Sequence, residues 1–261
     1  MPEMIRVAIL AVVQGIAEFL PISSSGHLVV LGNLLQRFTS SPVLEETVTL
    51  EIILHAGTLG SILVVYAGRI WQLLSRDRRV IGVLVVGTLP AVLVGLTIKT
   101  QFAHILKSPL LAGAMLIVTG LMLIVLGRLK PNDGKYVQLT PWKALAIGCF
   151  QAFAILPGIS RSGSTILGGR WMGLGRDDSV TFSFLLAIPA ICGATVLAIK
   201  DLVEQGGGGE SLSVLLIGAG IAFAVGILAL KWLIRWSRED RLHWFAFWCI
   251  PVGLLVCFFA A

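Results

Sequence analysis

The sequence predicts an all-α polytopic membrane protein with six transmembrane helices plus two re-entrant helical hairpins in an inverted-topology repeat. The first observation is composition. Of 261 residues, 56% are hydrophobic and 13% are charged, about half the charged share of a soluble domain. The second is that the apolar residues form runs long enough to cross a bilayer. The third is a pair of shorter apolar segments, each interrupted by a similar turn rich in Ser and Gly.

The predicted spans are six apolar runs. Five of them have about 17 to 21 residues without an internal charge, which matches a hydrocarbon core of about 30 Å at about 1.5 Å per residue. The sixth is about 16 residues long and contains His55. In chain order the spans are Ile52–Ala67, Val80–Ile98, Pro109–Gly127, Ser179–Ile199, Leu212–Leu230 and Trp244–Ala261.

The two hairpins are predicted at residues 7–35 and 142–174. Each leading arm, Val7–Leu20 and Ala144–Leu156, is about 20 Å long if helical, which is too short for a span. Clusters of Pro, Gly and Ser break the helix after each arm. Non-helical backbone at this depth is tolerated only where it lines a cavity or is covered by protein. Both segments are therefore interpreted as entering the membrane and returning to the same side.

The two turns also resemble each other. Gln14 precedes Ser23 by the same spacing as Gln151 precedes Ser160, and the copies are 137 residues apart. Coincidence between two Ser- and Gly-rich turns is the alternative explanation. The repeat divides one integral membrane domain, residues 1–261, into a first copy at about 1–127 and a second at about 140–261.

Basic residues predict the orientation. With alternating spans, twelve Lys and Arg fall in the loops of one face and five in those of the other. The richer face is predicted to be cytoplasmic, which puts both termini outside and makes the hairpins enter from opposite faces. The formal net charge of +6 is thereby assigned to membrane topology and not to a nucleic-acid surface.

Glu18 and Arg161 are the principal candidates for chemistry. A carboxylate in an apolar arm and a lone Arg in a membrane-buried turn are costly and indicate function. Gln14 lies one helical turn before Glu18 and shares its face. The planar fork of Arg161 suits phosphate oxygens. A purely structural ion pair between Glu18 and Arg161 is the alternative.

Hydroxyl groups and an imidazole surround these charges. The helices after the turns are predicted to begin near Gly26 and at Ser164, with their N-termini aimed at one anion site. Ordinary N-capping by the hydroxyl residues is the alternative. His55 and Glu51 are weaker candidates, for which structural roles are equal alternatives. The hydroxyl residues and imidazole of the candidate site are Ser23, Ser24, Ser25, His27, Ser160, Ser162 and Thr165.

This set of groups favours phosphate or diphosphate as ligand. Because Glu18 would repel such an anion, a divalent cation between the carboxylate and the phosphate, Mg²⁺ or Ca²⁺, is predicted. An activated serine near His27 fits phosphoryl transfer. A site inside the bilayer suits a lipid with a phosphate head group.

At these residues the chain resembles the bacterial undecaprenyl-diphosphate phosphatase family, also known as bacitracin-resistance proteins. The resemblance covers nearly the whole chain and rests on two motifs. The first is (E/Q)-x-x-x-E followed by a Ser-rich turn, and the second is P-G-x-S-R-S-x-x-T. They appear here as residues 14–27, QGIAEFLPISSSGH, and residues 157–165, PGISRSGST.

The resemblance implies hydrolysis of undecaprenyl diphosphate to undecaprenyl phosphate and inorganic phosphate, which recycles the lipid carrier for peptidoglycan. It also implies a multi-pass inner-membrane protein that needs a divalent cation, with a site opening toward the periplasm. The implied roles are Glu18 as metal ligand or acid/base, Ser24 as nucleophile, His27 as general acid/base, Arg161 as diphosphate clamp, and Ser160 and Thr165 as phosphate contacts.

One position departs from the family pattern. Gln14 stands where many relatives have Glu. Either one metal ligand fewer is needed, or Gln14 binds through its carbonyl oxygen, and a mechanism that requires two acids is weakened. The rival interpretation is an ion-coupled transporter or polyprenyl-phosphate flippase, because inverted repeats with broken helices are common in transporters. The sequence leaves the oligomeric state open, with a homodimer as one candidate.

Overall fold

A computed structural model describes most of the chain, namely residues 3–38, 43–101, 106, 108–204 and 212–260. Every regular element in these ranges is helical, and they contain no β-strand. The all-α class is therefore confirmed. The α-helices are α1 Glu3–Ala17, α2 Ser24–Phe38, α3 Val43–Val65, α4 Ala67–Ser75, α5 Arg78–Gln101, α6 Pro109–Arg128, α7 Pro141–Phe153, α8 Arg161–Trp171, α9 Arg176–Glu204, α10 Leu212–Arg238 and α11 Ala246–Ala260.

Five or six helical segments are long and apolar enough to cross a membrane. Five are single spans. Four of them lie within α5, α6, α9 and α10, and the fifth runs from Leu242, in the 3-10 turn before α11, to Ala260. The sixth combines α3 and α4, which are bent by 70°. The chain is therefore a multi-pass membrane protein.

The bend corrects the predicted span Ile52–Ala67. The helix begins earlier, at Val43, and ends at Val65, and Tyr66 leaves the helical conformation with φ −100° and ψ 14°. Tyr66 is buried while most of α4 is exposed. The chain bends at the buried tyrosine, and α4 keeps Leu73 in the hydrophobic core while its other residues are mostly exposed.

The two predicted hairpins each contain a pair of short helices. The first pair, α1 and α2, has 15 residues in each helix, and the second pair, α7 and α8, has 13 and 11. At about 1.5 Å per residue none of the four reaches about 30 Å. The second helices begin at Ser24 and Arg161, so the predicted starts near Gly26 and at Ser164 were wrong. Capping by the preceding serines, described below, explains the earlier starts.

Helices of the first half of the chain, α1–α6, pack against helices of the second half, α7–α11. We call α1–α10 and α5–α7 the exchanged pairs, because each joins a short helix of one half to a long helix of the other. Helix α1 packs mainly on α10, and α7 packs mainly on α5. Two further contacts, α3 with α9 and α6 with α11, also join the first half of the chain to the second. Neither half is thus a separate unit, and the two short helix pairs lie inside a shared bundle.

Glycines allow several of these helices to approach each other closely. On α6, Gly113 and Gly120 face α11, and Gly127 faces the 3-10 turn Leu242–Phe245 before α11, where its methyl group would lie 2.7 Å from the Cβ of His243. On α3, a methyl group on Gly57 would collide with the carbonyl oxygen of Ala219 and lie 3.1 Å from its Cα. The α3–α10 contact is therefore backbone against backbone, and it requires glycine.

Replacing Gly57 tests this packing. Gly57→Ala forces α3 away from α10 because the methyl group meets main-chain atoms, and overpacking of this kind costs about 1–3 kcal/mol. The expected result is a lower melting temperature of the detergent-solubilised protein, followed by tryptophan fluorescence. Gly82→Ala on α5 is the control, because nothing lies within 4 Å of its added methyl group. Equal melting temperatures for the two variants would contradict the proposed contact.

Candidate active site between the two turns

The turns that precede α2 and α8 are held by the same hydrogen bonds. The hydroxyl of Ser23 accepts from the backbone N–H of Gly26 at 3.2 Å, and that of Ser160 accepts from the N–H of Gly163 at 3.1 Å. Ser23 and Ser160 are thus the N-caps of the two helices. Each cap hydroxyl also pairs with the serine two residues later, at 3.4 Å to Ser25 and 3.2 Å to Ser162.

The two turns pack directly against each other. A methyl group on Gly26 would lie 2.8 Å from the Cα of Gly158, and one on Gly163 would lie 3.2 Å from the Cβ of Pro21. Gly158 has φ +96°, a left-handed conformation that favours glycine. Ser23 adopts φ 70° without being glycine, which is a strained conformation. The N-terminal ends of α2 and α8 are thereby brought together.

Glu18 lies at the centre of the contact between the turns. It is buried, with 7% of its surface exposed. One carboxylate oxygen, Oε1, lies 2.5 Å from Nη2 of Arg161. The other, Oε2, accepts hydrogen bonds from the hydroxyl of Ser24 at 2.8 Å and from the amide of Gln14 at 3.2 Å. Four of the predicted site residues therefore form one cluster across the two turns.

His55 joins this cluster from α3. Its Nε2 lies 3.7 Å from Oε2 of Glu18. From the sequence, His55 was only a weaker candidate, because its distance along the chain from Glu18 hides the contact. Its position beside the carboxylate makes it part of the candidate site.

Arg161 and Gln14 each retain an unused polar atom. The Nη1 of Arg161 and the Oε1 of Gln14 are buried and have no hydrogen-bond partner among the described residues. The guanidinium carbon of Arg161 also lies 5.7 Å from the ring centroid of Phe184, within the range of a cation–π contact. A free N–H donor and a free amide oxygen next to the same carboxylate suit an anion on one side and a cation on the other.

His27 faces away from the carboxylate cluster. Its Nδ1 lies 2.8 Å from the carbonyl oxygen of Ser23, and its Nε2 lies 2.9 Å from the indole nitrogen of Trp248. The two rings are stacked with centroids 6.1 Å apart. Both ring nitrogens are therefore engaged, and neither is hydrogen-bonded to Ser24. Trp248 was not predicted as a site residue, since 221 positions separate it from His27.

The remaining predicted contacts divide into exposed and buried side chains. Ser25 is exposed, whereas Ser160, Ser162 and Thr165 are almost completely buried. Thr165 bonds within the protein, to the carbonyl of Arg161 at 2.8 Å and to the hydroxyl of Ser183 at 2.5 Å. It lies inside α8 and is not an N-cap. Whether these hydroxyls contact substrate stays a prediction.

Thr119 on α6 supports the second turn and was missed by the sequence analysis. Its hydroxyl donates to the carbonyl of Gly158 at 2.7 Å and accepts from the N–H of Ser160 at 3.0 Å. The backbone of the turn is thus satisfied by a side chain from a neighbouring helix. No motif marks Thr119, because its partners lie about forty positions away in an unrelated segment.

The ligands for a cation are oxygens and are few. The described residues contain no group of three or more His, Cys, Asp and Glu that could hold a metal by themselves. The carboxylate of Glu18 and the free Oε1 of Gln14 are the candidate ligands. This small set fits Mg²⁺, which is usually held by one or two carboxylates together with substrate phosphates.

Comparison with known proteins connects this site to a family. Residues 7–255 match the family described as bacitracin resistance protein BacA. A protein of Rhodopirellula baltica named undecaprenyl-diphosphatase is 77% identical over 257 residues, covering 98% of each chain. Proteins with the same name from Alkaliphilus metalliredigens and Halothermothrix orenii are 36% and 35% identical, and both alignments cover 98% or more of each chain. The resemblance seen in the two motifs is thus confirmed, and the chain belongs to the bacitracin resistance protein BacA family.

Proposed function

We propose that this chain hydrolyses undecaprenyl diphosphate to undecaprenyl phosphate and inorganic phosphate within the membrane. The observation that carries the proposal is the Glu18 cluster, which joins a carboxylate, a serine hydroxyl and a guanidinium where two helix N-termini meet. The undecaprenyl-diphosphatase name of the relative that is 77% identical supplies the substrate. The lipid carrier is thereby returned to cell-wall synthesis, and its recycling accounts for resistance to bacitracin.

Arg161 and the two helix N-termini bind the diphosphate. The guanidinium has one buried nitrogen in the ion pair with Glu18 and another, Nη1, without a partner among the described residues. Helix N-termini favour anions through their unpaired N–H groups and their dipoles. Phosphate oxygens at this position complete the hydrogen bonding of Arg161 and receive the developing negative charge of the transferring group.

Ser24 is the proposed nucleophile. Its hydroxyl donates to Oε2 of Glu18 at 2.8 Å, so this carboxylate is placed to take the proton as Ser24 attacks the terminal phosphorus. The bond from that phosphorus to the bridging oxygen breaks, and undecaprenyl phosphate leaves with the electron pair. Water then releases phosphate from the serine. Direct attack by water is the alternative, in which Glu18 takes its proton from water.

Glu18 and Gln14 are the residues that would hold a divalent cation. When bound, such a cation supplies positive charge that offsets the repulsion between the carboxylate and the diphosphate. Gln14 contributes its carbonyl oxygen, which is free in the structure, while its amide group stays on Glu18 at 3.2 Å. The Gln at this position is therefore compatible with a cation site built around a single carboxylate.

The architecture is proposed to be six spans and two re-entrant hairpins in two inverted copies, about 1–127 and 140–261. The matching caps at Ser23 and Ser160 support it, as do the exchanged pairs α1–α10 and α5–α7. The four short helices also support hairpins, since none is long enough to span. The excess of basic residues on one face supports external termini, and the family resemblance implies a site open toward the periplasm.

Phosphate release in detergent tests the function. The purified protein is expected to release inorganic phosphate from undecaprenyl diphosphate without any membrane gradient, whereas a transporter or flippase would not.

Arg161→Ala should lower the rate by at least about a hundredfold because it removes a transition-state contact. Arg235→Ala, at an exposed position on α10, is the control. A chelator should stop release, and added Mg²⁺ or Ca²⁺ should restore it. A wild-type protein without phosphate release would refute the proposal.

Ser24→Ala separates the two chemical routes. The covalent route predicts a loss of at least about a thousandfold in kcat, as for other nucleophilic serines. It also predicts a phosphoserine on residue 24 in acid-quenched wild-type samples, detected by mass spectrometry. Ser75→Ala, on exposed α4, should behave as wild type. A Ser24→Ala variant that retains most of its turnover would leave direct water attack as the mechanism.

Cysteine labelling tests the proposed orientation. In a cysteine-free background, Met4→Cys is expected to react with a membrane-impermeant maleimide on intact spheroplasts, because the N-terminus is proposed to be external. Lys130→Cys should react only after the cells are opened. Both positions are exposed, so burial does not explain a difference. The reverse pattern of labelling would overturn the assignment of the two faces.

A further inference from the structure

Trp248 on α11 makes a directed contact with the first turn, although no motif includes it. We propose that Trp248 is a positioning residue that fixes the tautomer of His27, and that His27 in turn holds the backbone of Ser23 and Ser24 in place for the reaction. His27 then acts through its neighbour and does not transfer protons. The hydrogen-bond arrangement stands on the structure alone, while its consequence for turnover rests on the proposed hydrolysis.

The chemistry of the three groups fixes the direction of their hydrogen bonds. The carbonyl oxygen of Ser23 can only accept, so Nδ1 of His27, 2.8 Å away, carries the hydrogen. The indole nitrogen of Trp248 can only donate, so Nε2 of His27, 2.9 Å away, must offer its lone pair. The indole, the imidazole and the carbonyl form one series of hydrogen bonds, which allows a single tautomer of the His27 ring. A proton on Nε2 would set two donors against each other.

This series of hydrogen bonds ends at the peptide bond before Ser24, the proposed nucleophile. The Ser23 carbonyl accepts both from the ring of His27 and from its backbone N–H, at 2.8 Å and 3.2 Å. Because the peptide group is planar, holding this oxygen also holds the nitrogen and Cα of Ser24. Ser23 has the strained φ of 70°, so the surrounding contacts are needed to keep this conformation. His27 supplies two of them.

Helix α11 also contacts the first turn at a second place. The thiol of Cys249, next to Trp248, lies 3.7 Å from the carbonyl oxygen of Pro21. Cys249 is completely buried, whereas Trp248 is 53% exposed. Burial of the ring therefore does not account for where Trp248 lies. Its N–H would lack a partner in an apolar environment, and the histidine provides one.

The same geometry argues against His27 as a general base for Ser24. A base needs a free lone pair within hydrogen-bond reach of the hydroxyl. The lone pair of Nε2 is occupied by Trp248, and the Ser24 hydroxyl already donates to Glu18 at 2.8 Å. The implied acid/base role of His27 and its positioning role therefore predict different outcomes when the imidazole is replaced by an amide.

The experiment compares Trp248→Phe with Trp71→Phe in the full-length protein. Phe keeps the aromatic ring at position 248 and removes only the N–H donor, and Trp71 is 72% exposed on α4. The expected loss for Trp248→Phe is about fivefold to tenfold in kcat, the size of one hydrogen bond, with KM unchanged within about twofold. Trp71→Phe should match wild type. Equal kcat values for the two variants would overturn the proposal.

Nitrogen NMR provides a readout that does not depend on turnover. With ¹⁵N-labelled histidine, His27 is assigned by the signal lost in His27→Asn, among the four histidines of the chain. The proposal requires the Nδ1–H tautomer in wild type and a displaced Nε2 resonance in Trp248→Phe. An Nε2–H tautomer, or a charged ring at neutral pH, would refute it. This result can be obtained even if the wild-type protein releases no phosphate, so the two proposals fail separately.

His27→Asn is the second variant and preserves the contact that matters. The Asn amide nitrogen can occupy the place of Nδ1 and donate to the Ser23 carbonyl, but an amide cannot act as an acid or base. The positioning role predicts that His27→Asn retains at least about tenfold more activity than His27→Ala. Equal, complete loss in both variants would favour proton transfer by His27 and overturn the proposal.

Discussion

The buried ion pair between Glu18 and Arg161 is the constraint on which the site depends. A carboxylate and a guanidinium that are largely shielded from water are each costly, and each compensates the charge of the other at 2.5 Å. They come from different turns, so the pair can form only if the two turns meet. The close approach of Gly26 to Gly158 is what makes that meeting possible, since a methyl group on Gly26 would lie only 2.8 Å from the Cα of Gly158.

The two turns combine a repeated scaffold with chemistry that is not repeated. Ser23 and Ser160 cap their helices in the same way, so the two turns share one hydrogen-bond pattern. The residue after each cap differs: Ser24 supplies a hydroxyl, whereas Arg161 supplies a positive charge. A symmetrical pair of turns would place like groups together. In the proposed mechanism, the difference puts a nucleophile on one side of the diphosphate and a cationic clamp on the other.

The sequence predicted the features that depend on residues close together in the chain. It missed those that depend on packing between distant helices. The broken helices, the polar turns and the cluster of Gln14, Glu18, Ser24 and Arg161 follow from motifs and from the cost of charge in a membrane. The predicted starts of α2 and α8 were wrong because the position of the N-cap depends on which serine leaves the helical conformation. Thr119 and Trp248 could not be found, since each lies on a distant helix and acquires its partner only through packing.

In the proposed mechanism, substrate binding and proton transfer are coupled through the same carboxylate. In the structure, Glu18 is neutralised by Arg161 and holds the Ser24 hydroxyl at the same time. A diphosphate that takes over the guanidinium leaves Glu18 with a buried charge and less compensation, which is unfavourable. Proton transfer from Ser24 removes that charge as the serine attacks. In this mechanism, the restored carboxylate competes again for Arg161 after phosphate leaves, so the ion pair of the resting site also helps to displace the product.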